Sequence, residues 1–215
     1  MPVKDFHYYE PRHGHGLSHD PLNAIIGPRP IGWIASVNAQ GQRNLAPYSF
    51  FNCFNYHPPI IGFCSIGWKD SVANISATGE FVWNLATRPL ADAMNTSSAA
   101  LPPGEDEFSF AGLTAVKGTR VAAHRVAESP VNFECQLTQC IQLQDAQSER
   151  LDSWLVLGEV IAVHIDKSLF DEQGIYQTAA AQPILRAGGP TAYYGISDEL
   201  RFDLVRPDDR PRPLR

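Results

Sequence analysis

The most informative stretch of the chain begins Arg29-Pro-Ile-Gly-Trp-Ile-Ala-Ser-Val37, turns near Gly41 and returns as Asn44-Leu-Ala-Pro-Tyr-Ser-Phe-Phe-Asn52. Two apolar runs on either side of a glycine-containing turn are typical of a β-hairpin. After Pro58-Pro59 and a further apolar run, the stretch ends in Lys69-Asp-Ser71, which reads as a helix start. Small polar residues at strand ends, beside a charged helix start, suit a flat, half-apolar ligand that carries a phosphate.

Hydrophobic periodicity over the whole chain predicts at least six strands and two or three short helices. The predicted strands cover residues 25–37, 45–53, 60–66, 81–85, 131–143 and 154–165. The predicted helices cover residues 69–78 and 90–96, followed by a long connection at 97–112. Many strands with few helices favour an antiparallel barrel or sandwich with helical excursions. A loop as long as 97–112 inside a domain is often functional.

Composition and charge exclude several classes of protein. The chain has 215 residues, of which 44% are hydrophobic, and a formal net charge of −6. An acidic chain lacks the concentrated Lys and Arg that a general nucleic-acid or anionic-membrane surface needs. No apolar run approaches the ~20 residues of a membrane span, and the first residues have no signal-peptide core. We therefore expect a cytoplasmic protein with no nucleic-acid or membrane partner.

The chain reads as one domain with two flanking segments. Residues 1–24 are rich in Pro, Gly and His and predict an irregular N-terminal arm. Residues 25–200 hold the apolar strands, without a repeat or long polar linker, and predict the folded domain. Residues 201–215 contain five Arg and three Pro. Such a tail cannot build a core alone, so it stays mobile or lies across a neighbouring surface.

Two groups of residues are candidates for ligand binding. Lys69, Asp70 and Ser71 open a helix whose first N–H groups suit a phosphate, although an ordinary capped surface helix would look the same. Polar residues at the ends of adjacent strands can bind the edge of a flat ring without adding charge, or can simply end the strands. These residues are Ser36, Val37, Asn38, Ser49, Phe50 and Asn52.

Other residues that could carry chemistry give weaker signals. His13, His15 and His19 could bind zinc or nickel, but the glycines among them favour a solvated arm, so no metal site is predicted. His164 lies on a predicted strand, where a hydrogen-bonded structural role is more common than catalysis. No Ser-His-Asp order, Walker loop or Gly-x-Gly-x-x-Gly fingerprint is present. A nicotinamide cofactor would therefore have to bind without a Rossmann domain.

An ordered set of elements carries a family resemblance. The elements are residues 29–36, 44–52, 58–59, 69–75, 81–85, 155–165 and 185–189, with Tyr193 and Tyr194. In that order they resemble the flavin reductase-like family of FMN-binding split barrels, in the branch of FMN-dependent flavin reductases and flavoredoxins. The resemblance extends from about residue 20 to residue 194, which is most of the chain.

The resemblance implies a mainly β fold: a six-stranded Greek-key split barrel with short helical excursions. It also implies a homodimer with FMN in a groove near the interface. The flavin ring would be bordered by Ser36, Val37, Asn38, Ser49, Phe50 and Asn52. The ribityl chain and phosphate would be held by Ser65, Lys69, Asp70 and Ser71, with the backbone N–H of Asp70 contributing rather than its charge. Arg186 would reach the phosphate or the ring from the partner chain.

The implied activity is that of an FMN-containing NAD(P)H:flavin oxidoreductase, with hydride transfer from NADH or NADPH to flavin N5 and no catalytic side chain. Reduced flavin would pass electrons to free flavin, a partner monooxygenase or oxygen. Many family reductases carry a Gly-Asp-His element before the last long strand, but here the aligned residues are Leu151-Asp-Ser-Trp154. This departure keeps open an FMN-binding electron carrier without a nicotinamide site. A barrel that holds haem is a third possibility.

Overall fold

Most of the regular structure in the chain is β-strand. A computed structural model describes residues 4–102 and 105–205. The strands are β1 (Arg29–Pro30), β2 (Gly32–Val37), β3 (Arg43–Tyr48), β4 (Phe51–Tyr56), β5 (Pro59–Ile66), β6 (Glu80–Asn84), β7 (Ala115–Lys117), β8 (His124–Val126), β9 (Val131–Gln144), β10 (Arg150–Ile165), β11 (Ile184–Arg186) and β12 (Tyr193–Gly195). The α-helices are α1 (Leu22–Ile25), α2 (Asp70–Thr78), α3 (Ala91–Thr96) and α4 (Glu107–Phe110). Short 3-10 turns cover Pro11–His13, Arg88–Leu90, Lys167–Leu169 and Asp198–Leu200. Within the described residues, no helix has the length and apolar character needed to cross a membrane.

The main sheet is closed on itself by the connection between its two edge strands. Its seven antiparallel strands lie in the order β3-β2-β6-β9-β10-β5-β4. β3 and β4 are at opposite edges, yet only Ser49 and Phe50 separate them along the chain. Because three Cα steps span at most roughly 11 Å, the two edges must lie close together and the sheet must curl. The Cys64 N–H donates to the Phe50 carbonyl at 2.8 Å, which continues the β4–β5 ladder into this connection. The predicted mainly β split barrel is confirmed.

The sheet has seven strands rather than the predicted six, because the strand predicted at 45–53 is two strands. The chain bends at Ser49 and Phe50, where Arg29 Nε donates to the Ser49 carbonyl at 3.0 Å. The Arg29 guanidinium also lies over the Phe50 ring, 5.4 Å from the ring centroid. A residue twenty positions away thus fixes a bend that local strand propensity does not reveal.

Outside the main sheet, the chain forms two small sheets and the short helix α1. One sheet has the order β1-β11-β12, and the other pairs β7 with β8. The strand predicted at 25–37 is therefore interrupted: Leu22–Ile25 is helical, β1 joins the small sheet, and only Gly32–Val37 enters the barrel. The prolines at 28 and 30 explain this break, because proline lacks the N–H that a ladder needs. Residues 1–3 of the predicted arm and 206–215 of the predicted tail lie outside the described residues.

Both faces of the central strands are buried, which explains their near-continuous apolar runs. Neighbouring residues of β2 point to opposite faces: Trp33 belongs to a cluster with Met94 and Phe108, whereas Ile34 belongs to a cluster with Phe63. All five residues are at most 1% exposed. Because Met94 lies on α3 and Phe108 on α4, this packing places the two helices beside β3.

We expect Gly158→Ala to lower the free energy of unfolding by about 1–3 kcal/mol, the usual cost of overpacking a core. A Cβ at this β10 position would come within 2.4 Å of Phe81 Cε1 and 3.2 Å of the Gln136 carbonyl oxygen. Phe81 is fully buried, so its ring has no room to swing aside. Urea unfolding measures the change. Gly195→Ala is the matched control, since a Cβ there meets no described atom within 4 Å. Equal stability of the two variants would contradict the prediction.

Candidate functional site

A groove opens at the seam of the barrel, where β3 passes into β4. Its volume is about 590 Å³, which falls in the ~300–1,000 Å³ range usual for small-molecule sites. Its walls come from β3, the Ser49-Phe50 bend, β5, the start of α2 and the segment after α3. The lining residues are 44, 46–50, 64, 66, 69–71, 97–101 and 107.

The start of α2 gives the groove a positive end. Lys69 is the N-cap of this nine-residue helix, and the first-turn N–H groups of Asp70, Ser71 and Val72 have no carbonyl partner within the helix. Gly67, with a φ of 90°, turns the chain from β5 into α2 in a conformation that glycine adopts at little cost. Free N–H groups, the helix dipole and the Lys69 ammonium together form a site that suits a phosphate.

A buried network of amides and hydroxyls lies beneath this helix start. Asn44 Nδ2 donates to Ser71 Oγ at 2.8 Å and to Ser36 Oγ at 3.3 Å. Asn74 Nδ2 also donates to Ser36 Oγ, at 3.3 Å. Ser36, Asn44 and Ser71 are each at most 8% exposed. Since Ser71 accepts a bond from Asn44, its own proton is available to a ligand in the groove.

The wall of the groove also contains a buried hydroxyl that lacks a partner. Tyr48 is 7% exposed, and its hydroxyl oxygen makes no hydrogen bond among the described residues. A buried donor without an acceptor costs about 1–3 kcal/mol and is rare in native proteins. A ligand with phosphate or hydroxyl oxygens would satisfy it. The groove therefore fits FMN, since it combines this donor with a positive helix start and an apolar bend.

The structure brings together several of the residues predicted from the sequence. Those that line the groove are Ser49, Phe50, Lys69, Asp70 and Ser71. Ser36 and Ser65 lie behind the groove wall. Ser36 is held by Asn44, and Ser65 is fully buried, with its Oγ donating to the Gly67 carbonyl at 2.9 Å. Neither serine lines the groove, and their predicted contacts with FMN stay predictions.

Three other predicted residues lie apart from the groove. Val37 is 4% exposed and belongs to the hydrophobic core. Asn38 closes the turn between β2 and β3, where its Oδ1 accepts the N–H groups of Gln40 and Gln42 at 3.0 and 2.9 Å. Asn52 is exposed on the edge strand β4. Their predicted contacts with the flavin ring stay predictions, because a single chain does not place them along the groove wall.

Arg186 is engaged within its own chain and does not line the groove. Its guanidinium donates to four carbonyls of the following turn at 2.7–3.2 Å. It also lies over the Tyr193 ring, 5.1 Å from the centroid. These contacts show that Arg186 fixes the turn at 187–192. A reach to the flavin of a partner chain stays a prediction.

A carboxyl group that the sequence did not single out borders the groove. Glu107 also lines a second, polar cavity of about 640 Å³ that adjoins the first. Its Oε2 accepts the Leu45 N–H at 2.9 Å on the free edge of β3. Burial raises the pKa of Glu107 and outweighs the lowering by the Leu45 N–H, while Asp70 and Asp106 add to the rise. The N–H groups on the free edge of a strand need hydrogen-bond acceptors. The sequence feature that could have pointed to Glu107 was a carboxylate within the long connection at 97–112.

Two of the histidines noted in the sequence, His15 and His164, form hydrogen bonds with other residues of the chain. In the exposed arm, the carbonyl of His15 is hydrogen-bonded to the His7 ring at 2.7 Å. On β10, His164 Nε2 is hydrogen-bonded to the buried Glu134 carboxylate at 2.5 Å. Across residues 4–102 and 105–205, no three His, Cys, Asp or Glu side chains are grouped so that they could hold a metal ion.

Comparison with known proteins identifies the family. A family model described as flavin reductase like domain matches residues 27–185. The chain belongs to the flavin reductase-like family. A family relative, an uncharacterised protein of Halalkalibacterium halodurans, is 35% identical over 192 residues, which cover 86% of this chain and 88% of that protein.

Solved structures of similar shape place this family member among flavin-related proteins. Nitrilotriacetate monooxygenase component B from Bacillus cereus is 28% identical, with a TM-score of 0.79 and coverage of 95% of this chain and 98% of that one. The 2-nitrobenzoate 2-nitroreductase of Pseudomonas fluorescens is also 28% identical, with a TM-score of 0.75 and coverage of 89% and 91%. Flavoredoxin of Desulfovibrio vulgaris shares the fold at 21% identity, with a TM-score of 0.71 and coverage of 81% and 90%.

Proposed function

We propose that the protein is an FMN-containing NAD(P)H:flavin oxidoreductase. The observation that carries this proposal is the groove at the barrel seam, which joins the positive start of α2 to a wall of apolar and hydroxyl side chains. A phosphate and a flat ring match those two parts. Family membership supports a flavin-binding oxidoreductase as the general class. A cytoplasmic location and a domain over residues 25–200 belong to the same proposal.

The residues of the groove bind and orient rather than react. Lys69, Ser71 and the first-turn N–H groups of α2 hold the phosphate, and Asp70 contributes its backbone N–H rather than its charge. Ser49 and the Phe50 bend border the ring. FMN held by these residues would supply the chemistry of hydride and electron transfer, with NADH or NADPH as the donor. Hydride transfer needs no acid or base from the protein, which agrees with the absence of a predicted catalytic side chain.

The electron acceptor is proposed from the similar structures. The Bacillus cereus neighbour is a component of a monooxygenase, and the Pseudomonas fluorescens neighbour is a nitroreductase. We propose that electrons from this protein reach free flavin, a partner monooxygenase or oxygen. Each of these acceptors must approach the open side of the groove.

One observation favours a second candidate, an FMN-binding electron carrier without a nicotinamide site. The segment Leu151–Trp154, where many family reductases carry a histidine, is part of β10. Here the Asp152 carbonyl accepts the Gly67 N–H at 2.9 Å, and the Trp154 ring packs on Trp68 at 5.2 Å between centroids. These residues support the turn into α2 and offer no imidazole to a nicotinamide.

Anaerobic reduction distinguishes the two candidates. Protein reconstituted with FMN is expected to absorb near ~450 nm, as bound flavins do. NADH or NADPH is expected to bleach that band in stopped-flow mixing, and the faster donor identifies the co-substrate. A flavin band that neither donor bleaches, but dithionite does, would favour the electron carrier. A Soret band would favour haem, and a protein that binds no FMN would refute the proposal.

We further propose a homodimer that covers the edge strand β4. Among the residues that the structure describes, this strand pairs only with β5, so its other edge is free there. Phe54 and Tyr56 on β4 are 54% and 76% exposed, and Ile66 at the groove rim is 62% exposed. Free edges and apolar patches of this kind are usually covered by a partner. Sedimentation equilibrium should give about twice the chain mass, whereas a monomer at micromolar concentration would contradict the dimer.

A further inference from the structure

The Tyr48 hydroxyl is a buried polar group that the proposed function leaves without a role. Tyr48 lies at the end of β3, and its hydroxyl makes no hydrogen bond within the described residues although the side chain lines the groove. Its ring packs against Phe63, with centroids 4.5 Å apart. Because Phe63 is fully buried, this contact fixes the direction in which the hydroxyl points.

The groups nearest this hydroxyl belong to the segment that leads into α2. Ser65 and Ser71 lie close enough to affect the ionisation of the phenol, and the charge of Asp70 is also felt there. Neither serine satisfies the phenol. Ser65 Oγ donates to the Gly67 carbonyl and Ser71 Oγ accepts from Asn44, and neither oxygen is hydrogen-bonded to the phenol within the described residues. The phenol therefore lies beside the segment that leads into α2 and has no hydrogen-bond acceptor within the described residues.

Burial keeps this phenol in its neutral, proton-donating form. Loss of contact with water raises the pKa of Tyr48, and the nearby serine hydroxyls lower it only in part. Asp70 and Glu107 disfavour the phenolate further. A neutral phenol beside the first turn of a nine-residue helix adds a donor to an anion site without adding charge.

We propose that the Tyr48 hydroxyl donates a hydrogen bond to the phosphate of the bound flavin and is a binding residue for its anionic end. This inference rests on the proposed function, because it takes FMN as the ligand. It assigns to the phosphate site a member on β3, in addition to Lys69 at the helix start. The phosphate would thus be held between the helix start and the barrel edge.

Tyr48→Phe tests this assignment, because it removes the hydroxyl and keeps the ring. Dissociation constants are measured by flavin fluorescence for FMN and for riboflavin, which lacks the phosphate. FMN binding should weaken roughly tenfold, as expected for a hydrogen bond to a charged group, and riboflavin binding should stay within about twofold of the wild type. Tyr176→Phe is the matched control, since Tyr176 is a half-buried tyrosine that does not line the groove.

The outcomes separate this inference from the proposed function. Equal losses for FMN and riboflavin would overturn it, because the hydroxyl would then contact a part that both flavins share. Unchanged FMN affinity would overturn it as well. In both cases wild-type FMN binding would leave the proposed function standing. A wild-type protein that binds neither flavin would overturn both. Circular dichroism of each variant verifies that the barrel is folded.

Discussion

Glu134→Ala should lower the free energy of unfolding by about 3–5 kcal/mol. This is the usual cost of removing a buried carboxylate that accepts several hydrogen bonds. Glu134 lies on β9 and is fully buried. Its oxygens accept the backbone N–H groups of Thr119, Arg120 and Val121 at 2.8, 2.6 and 3.2 Å. The His164 ring completes the set. Alanine would leave these donors without an acceptor, and urea unfolding would measure the loss.

Two further variants show whether the network, rather than the residue's position, is responsible. Glu134→Gln keeps one accepting oxygen and should fall between the wild type and the alanine variant. Glu172→Ala removes an exposed glutamate whose side chain makes no hydrogen bond within the described residues, so its stability should be unchanged. A Glu134→Ala protein as stable as this control would show that water replaces the carboxylate.

The same carboxylate should make part of the stability depend on pH. Burial alone would raise the pKa of Glu134, but the backbone N–H groups and His164 outweigh it and hold the pKa below its ordinary value. A lowered folded-state pKa means that the stabilisation is complete above the unfolded-state pKa of about 4.3. It is lost as the pH falls from there through the folded-state pKa. The stability difference between wild type and Glu134→Ala should therefore shrink in acid.

Local sequence patterns were sufficient for a mainly β barrel or sandwich and for α2, whereas the split barrel was implied by the family resemblance. The helix predicted at 69–78 is observed at Asp70–Thr78, and Gly79 ends it with a φ of 78°. Such a prediction succeeds because caps and periodicity act over a few residues. The seventh strand was missed because the bend at Ser49-Phe50 depends on Arg29. A contact made across twenty residues leaves no local pattern.

The candidate site was predictable only where its residues are neighbours along the chain. Lys69, Asp70 and Ser71 form a contiguous motif at a helix start, and they line the groove. Tyr48 and Glu107 also line it, but neither belongs to that motif. Tyr48 reads as one more core aromatic, and Glu107 as a residue of the long connection at 97–112. Only the closure of the barrel, which brings β3 beside α2, shows that these side chains share one groove.

Lys69→Ala should weaken FMN binding roughly ten- to a hundredfold, which corresponds to about 1.5–3 kcal/mol for a charge-assisted hydrogen bond. Lys69 is the N-cap of α2 and lines the groove, so its ammonium adds a full charge to the partial charge of the helix start. Riboflavin, which has no phosphate, should bind the variant and the wild type almost equally. Titration of flavin fluorescence measures both ligands under the same conditions.

Two controls test whether the effect of Lys69→Ala comes from its charge at this position: a lysine variant away from the groove, and a change in salt concentration. Lys167→Ala removes an exposed lysine that does not line the groove, so its FMN affinity should match that of the wild type. Raising the salt concentration should weaken FMN binding more in the wild type than in Lys69→Ala, because ions screen the interaction that the variant has lost. Unchanged FMN affinity in Lys69→Ala would mean that the phosphate lies away from the start of α2. That result would also remove the basis for assigning Tyr48 to the phosphate.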